Sequence, residues 1–129
     1  MSLKHLGNKN ILIVEDDAFN MQLLRSLLTK ISNMNIIPSY DGAEALHILE
    51  SAKEKIDMIL LDIHLPVMNG IDLLGHVRQH YSYEDLPVLI ISVDKKDKAD
   101  LFRMGANEFI HKPFDIYDLA SKISSNFTT

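Results

Sequence analysis

Short apolar runs alternate with segments of helical period along most of this chain, and that alternation restricts the fold more than any other feature. The runs ILIV at 11–14, MILL at 58–61 and VLII at 88–91 are strand-sized and apolar at every position, the pattern of strands buried on both faces. Periodicity alone does not separate such a run from a piece of buried helix. A shorter strand is expected within 33–39, where Pro38 pushes it toward its end or toward a sheet edge. Another is expected over 108–111, stopped by Lys112-Pro113.

Between the runs lie helical stripes. Met21, Leu24, Leu28 and Ile31 keep helical spacing over 18–31, with Asp17 as a candidate cap. Asp41-Gly42-Ala43-Glu44 has the form of a capping box before Ala45, Ile48, Leu49 and Ala52. Asn69 is placed to cap a third helix with Ile71, Leu74 and Val77 inward. Residues 94–104 keep helical spacing at Ala99 and Phe102 but are charged around most of the circumference, which predicts the weakest helix of the set. Asp115 caps a last helix carrying Ile116, Leu119, Ala120, Ile123 and Phe127. Five strand-then-helix units predict an α/β fold: a parallel sheet with helices on both faces.

At 129 residues the chain amounts to one domain, 1–129, with its core over about 9–127. It has no cysteine, which excludes a disulfide framework and a thiol nucleophile and suits a reducing, cytoplasmic setting. No apolar run reaches the length of a membrane span, and the amino terminus lacks the apolar core of a secretion signal. A net charge of −5 argues against nucleic acid. The loose group Lys95, Lys96 and Lys98 is interspersed with Asp94, Asp97 and Asp100 and reads as a solvated face.

The chemistry lies where the apolar runs stop. Glu15, Asp16 and Asp17 follow the first run, Asp62 closes the third, Ser92 the fourth, and Lys112 follows the fifth. In an open parallel sheet these positions converge on the carboxyl edge, where ligands bind. Taken singly, each reads as a cap or an ion pair; their convergence is what favours a site. Crowded carboxylates raise one another's pKa unless a cation joins them. Mg²⁺ fits an all-oxygen donor set, with Mn²⁺ as the second choice, and the absence of thiolates or paired histidines near the rim argues against zinc. A carboxylate flanked by a metal, an ammonium group and a hydroxyl is suited to accepting a phosphoryl group.

The motifs VEDD at 14–17, LLDIHLPVMNG at 60–70, ISVD at 91–94 and FIHKPF at 109–114 resemble those of response-regulator receiver domains of two-component phosphorelays, of the chemotaxis-regulator kind. The resemblance covers nearly the whole chain and implies a doubly wound, flavodoxin-like sheet of five strands in the order 2-1-3-4-5 with five helices. By position it implies Asp62 as phosphoacceptor, and Asp16, Glu15 and the backbone carbonyl of His64 beside Asp62 in the metal shell. Ser92 and Lys112 would hold phosphoryl oxygens, Phe109 would be the switch aromatic coupled to Ser92, and the Lys112-Pro113 bond would be cis. Phe109 lacks the hydroxyl of the commoner tyrosine, Val93 is larger than usual, and His64 and Asp94 occupy the variable positions flanking the site.

The implied donor is a histidine kinase or a histidine phosphotransfer protein. The implied output is a downstream protein or effector domain, reached through the face of the fourth helix, fifth strand and fifth helix, which is also the family's dimer surface. Such a domain is no conventional enzyme. It either stands alone or belongs to a hybrid sensor kinase or a larger regulator. Three rivals share parts of the pattern. A haloacid-dehalogenase-type phosphatase would want a D-x-D signature on its first strand, a flavodoxin-like cofactor binder a less acidic rim, and a phosphorylation-independent scaffold no complete acidic, hydroxyl and lysine set. His76 and His80, one turn apart, read as exposed polar residues.

Overall fold

A computed structural model describes residues 2–51, 55–63, 70–82, 85–92 and 98–127. Five strands form one parallel sheet: β1 (Asn10–Val14), β2 (Asn35–Ser39), β3 (Met58–Asp62), β4 (Val88–Ser92) and β5 (Glu108–His111), in the order β2-β1-β3-β4-β5. The helices are α1 (Ala18–Ile31), α2 (Gly42–Ser51), α3 (Gly70–His80), α4 (Lys98–Met104) and α5 (Ile116–Ser125). This is the doubly wound fold and strand order that the resemblance to receiver domains implies. Pro38 lies in β2, at the sheet edge, where its missing N–H is tolerated.

The apolar runs are continuous because each strand feeds two cores. Alternate residues point to opposite faces. Leu12, Val14, Ile59, Leu61 and Ile90 pack under α2, α3 and α4, whereas Ile11, Ile13, Met58, Leu60 and Ile91 pack under α1 and α5. Each helix contributes its stripe: Met21, Leu24 and Leu28 from α1, and Leu119, Ala120 and Ile123 from α5.

Two stripes differ from the spacing argument. Ile71 is 36% exposed, and the buried residues of α3 after Gly70 are Leu73, Leu74 and Val77. Ile71 sits in the first turn of α3. In α4 the buried residue is Leu101, with Phe102 partly buried and Ala99 exposed. The helix is described from Lys98; Val93, Asp94 and the rest of 93–97 lie outside the described residues, as do His64 and Asn69.

The caps behave as the sequence suggests. Asp17 accepts from the Asn20 N–H at 2.8 Å, and Asp115 accepts from the Tyr117 N–H at 2.7 Å. At α2 the Asp41 carboxylate accepts from the Glu44 N–H at 2.7 Å, while Glu44 reaches back to the N–H of Tyr40, one residue earlier than an ideal box. The amino terminus is more structured than composition implies: Leu3 is buried, and its N–H donates to the Ile31 carbonyl at 2.6 Å.

Candidate functional site

β1 and β3 are neighbours, but the chain leaves β1 toward β2 on one side and arrives at β3 on the other. Their carboxyl ends therefore flank the point where connections diverge, the place where open parallel sheets bind ligands. Glu15 follows β1 there, and Asp62 ends β3. One carboxylate oxygen each from Glu15, Asp16 and Asp62 lies within 4.8 Å of the others. Asp17 is spent on the α1 cap, so capping accounts for one of the three consecutive acids and leaves two for the site.

Lys112, just past β5, reaches across the β4 end. Its ammonium donates to Glu15 Oε1 at 2.9 Å and to Asp62 Oδ2 at 3.1 Å. The main chain fixes its starting point, since the Lys112 N–H donates to the Ser92 carbonyl at 2.8 Å. The Lys112-Pro113 peptide is cis. Ser92 is buried at the end of β4, one residue beyond Ile91, which pairs with Asp62. It shares a sheet face with Phe109, because Ile90, two residues back, is the β5 partner of Phe109. Phe109 is buried, its ring centroid 5.8 Å from the Lys98 ammonium, and its carbonyl accepts from Lys122 Nζ at 2.8 Å.

Electrostatically the cluster is unfinished. Burial above all, and then the adjacent Asp62 carboxylate, push the Glu15 pKa up from 4.5 to about 7, against the opposing pull of Lys112. For Lys112 burial acts downward, but the hydrogen bond to Glu15 and the field of both carboxylates outweigh it and raise its pKa. Glu15 Oε2 is buried without a hydrogen-bond partner among the described residues. An orphaned carboxylate oxygen on a residue clustered with two more carboxylates is a poor structural device and a good half of a cation site. All three side-chain donors are hard oxygens, which fits Mg²⁺ or Mn²⁺.

Gly70 holds the other side of the mouth. Its N–H donates to the Ile63 carbonyl at 3.1 Å. A Cβ there would stand 2.7 Å from Ile63 Cα and 2.9 Å from the Asp62 carbonyl oxygen, so α3 can begin this close to β3 only with glycine. The sequence marks Gly70 as turn chemistry; the backbone contact with Asp62 and Ile63 becomes visible only in three dimensions.

The geometry thus brings Glu15, Asp16, Asp62 and Lys112 together and puts Ser92 on the adjoining strand end. The response regulator receiver domain profile matches residues 11–124. The chain belongs to this family. As a receiver domain it is a module of two-component signalling and not a conventional enzyme, which displaces the phosphatase and flavodoxin-like alternatives. The receiver is similar to the chemotaxis protein CheY homolog of Campylobacter jejuni, at 27% identity over 88% of each chain. It is similar also to the response regulator ArlR of Staphylococcus aureus, at 36% identity over 88% of this chain and 50% of that protein. Among solved structures it resembles a chain of the CheX-CheY-BeF3-Mg²⁺ complex from Borrelia burgdorferi, with a TM-score of 0.84 and 31% identity over 94% of this chain and 90% of that one. No helix among the described residues is long and apolar enough to cross a membrane.

Proposed function

We propose that this receiver accepts a phosphoryl group on Asp62 from a phosphohistidine of a histidine kinase or a histidine phosphotransfer protein. The observation that carries the reading is the Lys112 ammonium bonded to both Glu15 and Asp62 while the second Glu15 oxygen has no partner among the described residues. An Asp62 oxygen attacks phosphorus, the phosphorus–nitrogen bond to histidine breaks, and an acyl phosphate forms. Lys112 donates to the phosphoryl oxygens, as does the Ser92 hydroxyl at the neighbouring strand end. Glu15, Asp16 and Asp62 would hold Mg²⁺ or Mn²⁺, together with the backbone carbonyl of His64, which is outside the described residues. Such an ion supplies neutralisation of the charge on the transferring group.

Ser92 and Phe109, on one face of adjacent strands, would relay the change to the face built from α4, β5 and α5. That face would hand the signal to a downstream protein or effector domain, or to a second copy of the chain. Intact-mass measurement after incubation with a small phosphodonor tests the reading. A gain of one phosphoryl group is expected with Mg²⁺, and none is expected with chelator or in Asp62→Asn. Equal phosphorylation of Asp62→Asn would refute it.

A further inference from the structure

Lys98, where the described part of α4 begins, is exposed, yet its ammonium lies 5.8 Å from the centroid of the buried Phe109 ring. A cation over an aromatic face at this distance is attractive.

Phe109 is thereby gripped from two helices: the ring by Lys98 of α4, and the carbonyl by Lys122 of α5 at 2.8 Å. Three residues further along the chain, just past β5, Lys112 holds Asp62 and Glu15. One short strand and the residue that follows it therefore carry, in sequence, the anchor of α4 and the anchor of the acidic site.

We infer that Lys98 is a positioning residue that ties α4 to the Phe109 ring, so that the placement of α4 follows the ring and, through β5, the state of Asp62. The link to Asp62 rests on the proposed function; the tie between Lys98 and Phe109 does not. Phenylalanine has no hydroxyl through which β5 could be held from outside, so the ring face and the main-chain carbonyl are the available handles, and both are taken by lysines.

The test is amide exchange over residues 98–104 in the whole chain, comparing wild type, Lys98→Met and Lys98→Arg. Methionine is close to lysine in length and helix propensity and removes the charge. Losing the cation–ring attraction should speed α4 exchange about two- to fivefold, whereas arginine should match wild type. Unchanged or slower exchange in Lys98→Met overturns the inference, and so does an arginine variant as fast as methionine.

A second arm adds beryllofluoride and Mg²⁺. In wild type the α4 amides should respond to this phosphoryl mimic, and in Lys98→Met the response should shrink. An equal response in both overturns the link between Lys98 and Asp62. If no variant binds the mimic, the reading of Asp62 fails while the ligand-free comparison still decides the Lys98 contact.

Discussion

A partly buried cation stands at each edge of the sheet, and the two are used differently. At the carboxyl edge Lys112 faces two carboxylates, and one buried oxygen of Glu15 has no hydrogen-bond partner among the described residues. At the amino edge Arg78 of α3 donates to neutral acceptors among the described residues. Its Nε donates to the Gly105 carbonyl at 2.7 Å, Nη1 to the Leu86 carbonyl at 2.9 Å, and Nη2 to Asn107 Oδ1 at 2.7 Å. Asn107 Oδ1 also accepts from the Val88 N–H at 3.0 Å. The guanidinium fork thus ties the end of α3 to the entries of β4 and β5, a role its fixed geometry suits. One edge is self-sufficient and structural. The other is self-sufficient only when something else is bound, which is the physical mark of a site.

Removing Arg78 gives the sharpest contrast between the edges. Arg78→Met strands the Gly105 and Leu86 carbonyls, and a loss on the order of 3 kcal/mol is expected in urea unfolding. Metal binding by the folded fraction should be unchanged. If Arg78→Met instead weakened Mg²⁺ binding while leaving stability intact, the division of labour between the edges would be wrong.

Gly70→Ala reaches the carboxyl edge through the backbone. Because the intruding methyl meets Ile63 Cα and the Asp62 carbonyl, neither of which yields as a side-chain tip would, a stability loss of about 1–3 kcal/mol is expected. Unlike Arg78→Met, it should also slow phosphoryl uptake in the folded protein, by about tenfold or more, since Asp62 itself is displaced. Phosphorylation rates beside urea midpoints distinguish the two variants.

The smallest expected effect concerns Glu15 and pH. Its folded pKa of about 7 lies above the ordinary 4.5, so between these values the native chain holds the proton more tightly than the unfolded chain. Stability from this group is fully present below pH 4.5 and is lost as pH rises through about 7. In metal-free buffer Glu15→Gln, a permanent neutral mimic, should therefore melt close to wild type near pH 4 and above it at pH 8. With Mg²⁺ at pH 8 the order should reverse. A melting difference that does not vary with pH would show that the edge is not strained by its own charge.

The two edges also differ in how far they could be read from the sequence. Glu15, Asp62 and Ser92 were legible because each ends an apolar run, and a polar residue that stops a buried strand has a definite place in a parallel sheet. Asp17 was legible as a cap because capping is local. Arg78 was not, since its partners are two backbone carbonyls and an amide drawn from segments that only the folded chain brings together. Gly105, at φ +119 and packed under the Arg78 stem, reads in the sequence as a helix stop and nothing more. Ile71 fits a helical stripe by spacing yet is exposed, while its neighbours Leu73 and Leu74 carry the packing. Lys98 sits in a run of mixed charge that looks solvated, and the Phe109 ring it covers is on another element. Leu3 carries no periodic partner in the sequence to betray its burial.

The central claim is that the carboxyl edge is completed by a divalent cation and the amino edge is not. Amide NMR during a Mg²⁺ titration at pH 8 tests it directly. Saturable shifts are expected at Glu15, Asp16 and Asp62, lost in Asp62→Asn, with Arg78 and Asn107 unmoved. Linear, unsaturated shifts at those three carboxylates, or saturable ones that survive Asp62→Asn, would contradict the account.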